Sequence, residues 1–258
     1  MKKTLLLFFA LMLALAACAV EPAPTTTMPP PPQTTVPETT VPETTVPETT
    51  APPALADPLE DVLTWFDEVV LHMEYSDGTG NPALVKKWRF PILCRIEGDP
   101  TDEDLRVLED FFDQLNALPG FPGIAMAEGL QRESLTLSFL GPEDFRDSFS
   151  EVVNGEDAWG AAQFWFYTDT NEIHTARIGY RTDIDQISRS SIVLEEIVNC
   201  LGLSDTELRQ DSIVYQYSND NICLSDVDWL ILELLYRPDI QCGMDREQCH
   251  AVIESLYE

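Results

Sequence analysis

Positive charge is what this sequence has least of. Its 258 residues carry 15 lysines and arginines against 45 aspartates and glutamates, a formal net charge of −30. Beyond the first three residues, lysine occurs only at Lys86 and Lys87. Such a surface repels phosphate backbones, which excludes nucleic acid as a partner. An anionic lipid surface is repelled too, so membrane attachment needs a lipid rather than charge. Histidine is scarce: His72, His174 and His250 stand alone, with no two at metal-ligand spacing. There is no phosphate loop, no G-x-S-x-G elbow and no Cys-x-x-Cys. The apolar run Leu5 to Ala16 is too short to span a bilayer as a stable helix.

What is present begins with that run. Met1-Lys2-Lys3 gives it a positive start, and Leu15-Ala16-Ala17-Cys18 follows it. Small residues before a cysteine at the end of an apolar run resemble the lipobox of bacterial lipoproteins. The resemblance implies a signal peptide over residues 1–17, cleavage before Cys18 and diacylation of the Cys18 thiol. Two acyl chains hold a protein on a membrane stably. The expected location is therefore extracytoplasmic, lipid-anchored to the bacterial cell membrane. Residues 18–56 comprise the lipidated cysteine and a stalk. Thr34-Thr35-Val36-Pro37-Glu38 repeats as 39–43 and 44–48, then decays. Proline every fifth residue forbids helix and sheet, so an extended, disordered spacer is expected.

Residues 57–258 have the composition of one globular domain. Three-four spacing predicts a helix over Pro58 to Met73, with Asp57 as its N-cap. Ser76 to Pro82 is a turn. Alternation from Trp88 to Glu97 predicts a half-buried strand, with Trp88, Phe90, Ile92, Cys94 and Ile96 on the core face and Pro91 suited to an edge. Thr101-Asp102-Glu103-Asp104 opens a helix that Leu118-Pro119-Gly120 stops. Short strands are expected at 124–127 and 134–140, and a short helix or turn from Pro142 to Phe149. A hairpin over Gln163–Thr168 and Glu172–Tyr180 should turn at Asp169-Thr170-Asn171. Helices follow over 184–203, 225–236 and 245–257. The order predicts an α+β domain with one mixed sheet.

The segment Ile192 to Asp205 resembles the zinc helix of zincin metallopeptidases, H-E-x-x-H-x-x-G-x-x-H/D. Residues four apart on a helix point the same way and can grip one ion. The glutamate beside the first histidine activates the bound water, and the glycine turns the chain toward a third ligand. Here Glu196 holds the general-base position, Gly202 the turn and Asp205 the third-ligand position. Glu195 and Asn199 occupy the two histidine positions. Ser212-Ile213-Val214-Tyr215 resembles the turn that floors such sites.

Further motifs extend the likeness. Lys87-Trp88, Ile92 to Gly98, Glu195-Glu196 with Leu201-Gly202-Leu203, Asp228 to Tyr236 and Gly243-Met244 are together similar to the domain of unknown function 2927 family. That family consists largely of bacterial lipoproteins without established activity. The resemblance covers roughly Glu68 to Gln248. It implies a zincin-like fold: a twisted mixed sheet, a backing helix, a central helix carrying Glu195 and Glu196 under a cleft, and a helical C-terminal part.

Zinc prefers nitrogen and sulfur, whereas Glu195, Asn199 and Asp205 offer only oxygen. No cofactor is expected, and zinc least of all. The expected function is binding or scaffolding at the cell surface, without catalysis. The alternative is a metallopeptidase-like hydrolase with unusual ligands, or one using Glu196 as a metal-free acid/base. Partners would be the membrane, through the lipid, and a peptide or envelope protein added to the strand near Gln163 to Thr168. The patch Ser218 to Asn221 with Asp226 and Asp228 reads as a solvated loop and helix cap, or a weak calcium site. Of five cysteines after Cys18, Cys94 and Cys200 fall on core positions. One bridge is expected among Cys223, Cys242 and Cys249.

Overall fold

The structure, a computed structural model, describes residues 57–72, 83–153 and 158–258. The signal peptide, Cys18, the stalk and the turn at Ser76 to Pro82 lie outside the described residues.

The chain runs α1 (Leu59–Val70), β1 (Lys87–Trp88), β2 (Ile92–Gly98), α2 (Asp102–Ala117), β3 (Ile124–Met126), β4 (Leu135–Leu140) and α3 (Pro142–Ser148). It continues through β5 (Gly160–Phe166), β6 (Glu172–Arg181), α4 (Gln186–Cys200), α5 (Asp226–Tyr236) and α6 (Arg246–Glu254). The six strands form one sheet in the order β1-β6-β4-β2-β3, with β5 off this path and paired to β6 as well. Every pairing is parallel except β5 with β6. The parallel pairing of β2 with β4 needs a crossover, and α2 lies within it. The expected mixed sheet is therefore present, with a parallel centre and an antiparallel edge.

Strict alternation puts Leu135, Leu137 and Phe139 of β4 on one face, joined there by Ala176, Ile178 and Tyr180 of β6. That face meets α1, α2, α4, α5 and α6 in the main core. Its apolar burial is the chief stabilising term, at about 1.5–3 kcal/mol per large side chain. The opposite face carries a small second cluster of Phe145, Phe149 and Ala161. Gly179 is required there: a Cβ on it would lie 2.3 Å from the Phe149 ring.

Polar side chains fasten the helices to one another. Thr101 and Asp104 form a capping box on α2. Asp104, fully buried, also accepts from Gln186 at 2.8 Å and pairs with Arg189, both on α4. Buried Lys87 donates to the carbonyls of Leu235 (2.7 Å), Arg237 (3.1 Å) and Ile240, closing the C-terminus of α5. Trp88 Nε1 does the same for α4, donating to the Cys200 carbonyl at 2.8 Å. Burial pulls the Lys87 ammonium down to about 8.

Four expectations fail here. The strand expected over Trp88 to Glu97 is broken, because Pro91 lacks an N–H and separates β1 from β2. Phe90, expected to face the core, is 65% exposed. The N-cap of α1 is Pro58, not Asp57, and no side chain caps it. The bridge expected among Cys223, Cys242 and Cys249 is absent, and all five cysteines of the domain are free thiols. Cys249 is buried and Cys223 is exposed, while half-buried Cys242 lies against the Lys87 carbonyl at 3.6 Å. Cys94 and Cys200 are buried, as expected.

Candidate functional site

A cleft of about 770 Å³ opens between the edge strand β5 and the C-terminal half of α4. Gly160, Ala162 and Phe164 of β5 line one wall. Glu196, Asn199 and Asp205 line the other. The close approach of the two walls depends on Gly160. A Cβ there would lie 2.3 Å from Ile192 Cγ2 and 2.7 Å from Glu196 Oε1.

The far wall is shaped by the end of α4. Asp185 caps the helix, accepting from the N–H groups of Ile187 and Ser188. It ends at Cys200, and Gly202 turns the chain with φ +112°. A Cβ at that turn would come within 2.2 Å of the Lys86 carbonyl, so glycine is needed for space as well as for φ. The turn brings Asp205 back to Asn199, whose Nδ2 donates to Asp205 Oδ1 at 2.9 Å. Asn199 Oδ1 is buried and has no hydrogen-bond partner among the described residues, which costs about 1–3 kcal/mol. Burial raises the Asp205 carboxyl above its usual range, against the smaller opposing effect of the Asn199 hydrogen bond.

Beyond Asp205, Thr206 N–H donates to the Val214 carbonyl at 2.8 Å and pairs with Tyr215. The Ser212 to Tyr215 segment is thereby tied to the chain that carries Asp205. Asp228 fixes its other side, accepting from Ser212 Oγ, Ile213 N–H and Ser225. Those bonds occupy both oxygens of Asp228, which serves as a helix cap and brace. Ser218 and Asp220 bond each other in an exposed loop.

The cleft therefore gathers three of the four positions expected from the sequence: Glu196, Asn199 and Asp205. Glu195, one turn before Asn199, is half-buried and is not part of the cleft lining. The histidines stay apart. His72 lies past α1 at the cleft rim. His174 is on β6, stacked on Tyr167, and His250 is on α6, bonded to Asp67. Zinc does not fit this donor set. The two positions that would converge on an ion, Asn199 and Asp205, bond each other instead, and neither offers nitrogen or sulfur as a ligand atom.

The other wall has a backbone that can bind. In an antiparallel pair, alternate residues point both polar groups at the partner strand. Arg181 N–H donates to the Trp159 carbonyl at 2.9 Å, which sets the phase. With the register of Gly160 opposite Tyr180, residues 161, 163 and 165 bond β6. Gly160, Ala162 and Phe164 then direct their N–H and C=O groups outward, and no other described strand pairs with them. The edge was expected near Gln163 to Thr168; the outward positions lie earlier, at 160, 162 and 164, and finding them needs the strand order and the hydrogen-bond phase.

No curated protein is similar enough to the chain to match it. The family described as Protein of unknown function (DUF2927) matches residues 60–255, which include both walls of the cleft. The chain belongs to that family.

Proposed function

We propose that this is a lipid-anchored extracytoplasmic lipoprotein of the bacterial cell membrane. Its zincin-like domain binds an extended peptide or envelope protein without hydrolysing it. The observation that carries the reading is one cleft with a strand edge unpaired among the described strands on one wall and Glu196, Asn199 and Asp205 on the other. An extended chain laid along β5 would take hydrogen bonds from Gly160, Ala162 and Phe164 and pass above Glu196. Helix α4, the glycine turn at 202 and Asp205 keep the order of the zincin frame. Cys18 and the threonine-proline stalk supply the tether and the reach.

Two measurements test the parts separately. Cys18→Ser should release the chain from membranes into the medium, and unchanged retention would refute the anchor. The full-length chain in detergent should retain members of an extended-peptide library uncleaved, with no metal bound. Zinc at one ion per chain, with peptide cleavage lost in Glu196→Gln, would overturn the silent reading. The double substitution Glu195→His with Asn199→His should create zinc affinity if the frame is right.

The rival is a hydrolase without zinc. One observation favours it: Glu196 shares the cleft with Asp205, whose proton is held more tightly than usual. The same Glu196→Gln assay decides between them.

A further inference from the structure

The other face of the β5–β6 hairpin carries a second cluster, which shares Gln163 with the cleft lining. The six arginines of the described chain that are half-buried or buried divide unequally. Arg95, Arg181, Arg189, Arg209 and Arg237 each pair with a carboxylate. Arg177 does not: among the described residues it has no acidic partner. In a chain with a threefold excess of acid over base, that exception needs a reason.

Arg177 is held in place by neutral groups. Its Nε donates to Gln163 Oε1 at 3.0 Å. Its guanidinium carbon sits 4.9 Å from the Phe149 ring centroid and 5.8 Å from that of Trp165. The terminal nitrogens of the fork make no hydrogen bond among the described residues. A flat, oriented guanidinium whose terminal nitrogens bond nothing among the described residues suits a bidentate carboxylate.

Exposed aromatic rings continue the surface along the chain from Trp165. Trp165 is 41% and Tyr167 51% exposed, and alternation puts them on one face of the chain about 7 Å apart. The register slips between Trp165 and Phe166, so β6 carries one extra residue, His174. The bulge places the His174 ring against Tyr167, stacked at 4.3 Å, which holds the tyrosine ring.

The geometry points to a binding surface for a polysaccharide whose sugars carry isolated carboxylates. Trp165 and Tyr167 stack on the apolar faces of the sugar rings, and Arg177 takes the carboxylate. The net charge of −30 selects against dense polyanions. A single carboxylate feels mainly the local guanidinium, because salt screens distant charges beyond about 8 Å.

Calorimetry on the full-length chain in detergent tests this with a hyaluronan oligosaccharide, whose carboxylate recurs on alternate sugars. Hyaluronan should bind, and Arg177→Gln should weaken it roughly tenfold or more. Trp165→Ala should weaken it by a similar factor. Neutral N-acetylchitohexaose and densely sulfated heparin should both bind at least about tenfold more weakly. Should Arg177→Gln unfold, Gln163→Glu neutralises the guanidinium from within while leaving it in place, and should abolish binding. Equal binding by wild type and Gln163→Glu, or equal affinity for the neutral sugar, would overturn the proposal. So would absence of glycan binding with self-association that Trp165→Ala removes, which would make the face a protein interface.

Discussion

Two aspartates flank α4, buried Asp104 at one end and half-buried Asp205 at the other, and their protons are pulled in opposite directions. Asp104 meets the N-terminal end. Burial alone would raise its carboxyl, but hydrogen bonds from Thr101, Gln186 and Arg189 outweigh it and hold it below the usual range. Asp205 follows the C-terminal end. Burial raises it, and one amide donor does not compensate. The difference separates construction from readiness to bind. At the first end every oxygen has donors. At the second, an amide oxygen is orphaned and a carboxyl is short of partners, beside a strand edge with open backbone groups.

The comparison breaks most directly at its saturated end. Asp104→Asn leaves Arg189 buried without a counter-charge and should cost about 3–5 kcal/mol. Urea unfolding at neutral pH measures it, and a loss under ~1 kcal/mol would mean water already reaches the pair. Lys87→Met comes next. It strands the carbonyls of Leu235, Arg237 and Ile240 in the interior, at about 2–3 kcal/mol by the same assay. Neither change should alter which peptides the cleft prefers once the folded fraction is allowed for.

The cleft end should respond the other way, with modest stability changes and large binding changes. Gly160→Ala drives a methyl into Ile192 and Glu196, so β5 must lift away from α4. About 1–2 kcal/mol of stability should be lost. Peptide capture along β5 should fall more than that loss of folded protein explains. Unchanged capture would show that peptides do not use this wall.

Much of this was legible in the sequence where the signal is local. Thr101 and Asp104, three residues apart before an apolar stripe, declare a capping box that the structure contains. The hairpin turn at Asp169 to Asn171 is likewise local, with Asn171 taking φ 57°. Asn199 and Asp205 meet because Gly202 turns the chain between them, and that glycine is visible in the sequence. Non-local features were not legible. Nothing in the spacing of Arg177, Gln163 and Phe149 announces that pairing across the sheet will stack them. Phe90 matched the alternation yet faces solvent, because Pro91 ends the pairing that would have oriented it. Cysteine proximity in sequence did not imply a bridge, since Cys223 is exposed and Cys249 is buried.

The smallest expected effect discriminates best, because its sign differs between the two aspartates. The Asp104 carboxyl is depressed in the folded state. Its contribution is present above its unfolded value, about 3.9, and is lost as pH falls through the lower folded value. The Asp205 carboxyl is raised in the folded state. Its favourable contribution is complete below about 3.9 and disappears as pH rises through the higher folded value. At pH 7 the native state therefore holds a carboxylate it would rather protonate. Asp205→Asn removes that penalty while keeping an acceptor for Asn199 Nδ2. It should be neutral or stabilising at pH 7, by up to ~1 kcal/mol, with the benefit vanishing as pH falls toward about 4. Urea midpoints for wild type and variant across that range measure the difference. A variant less stable than wild type at pH 7 would mean that the ionised Asp205 is satisfied in place, and the contrast between the two ends of α4 would be lost.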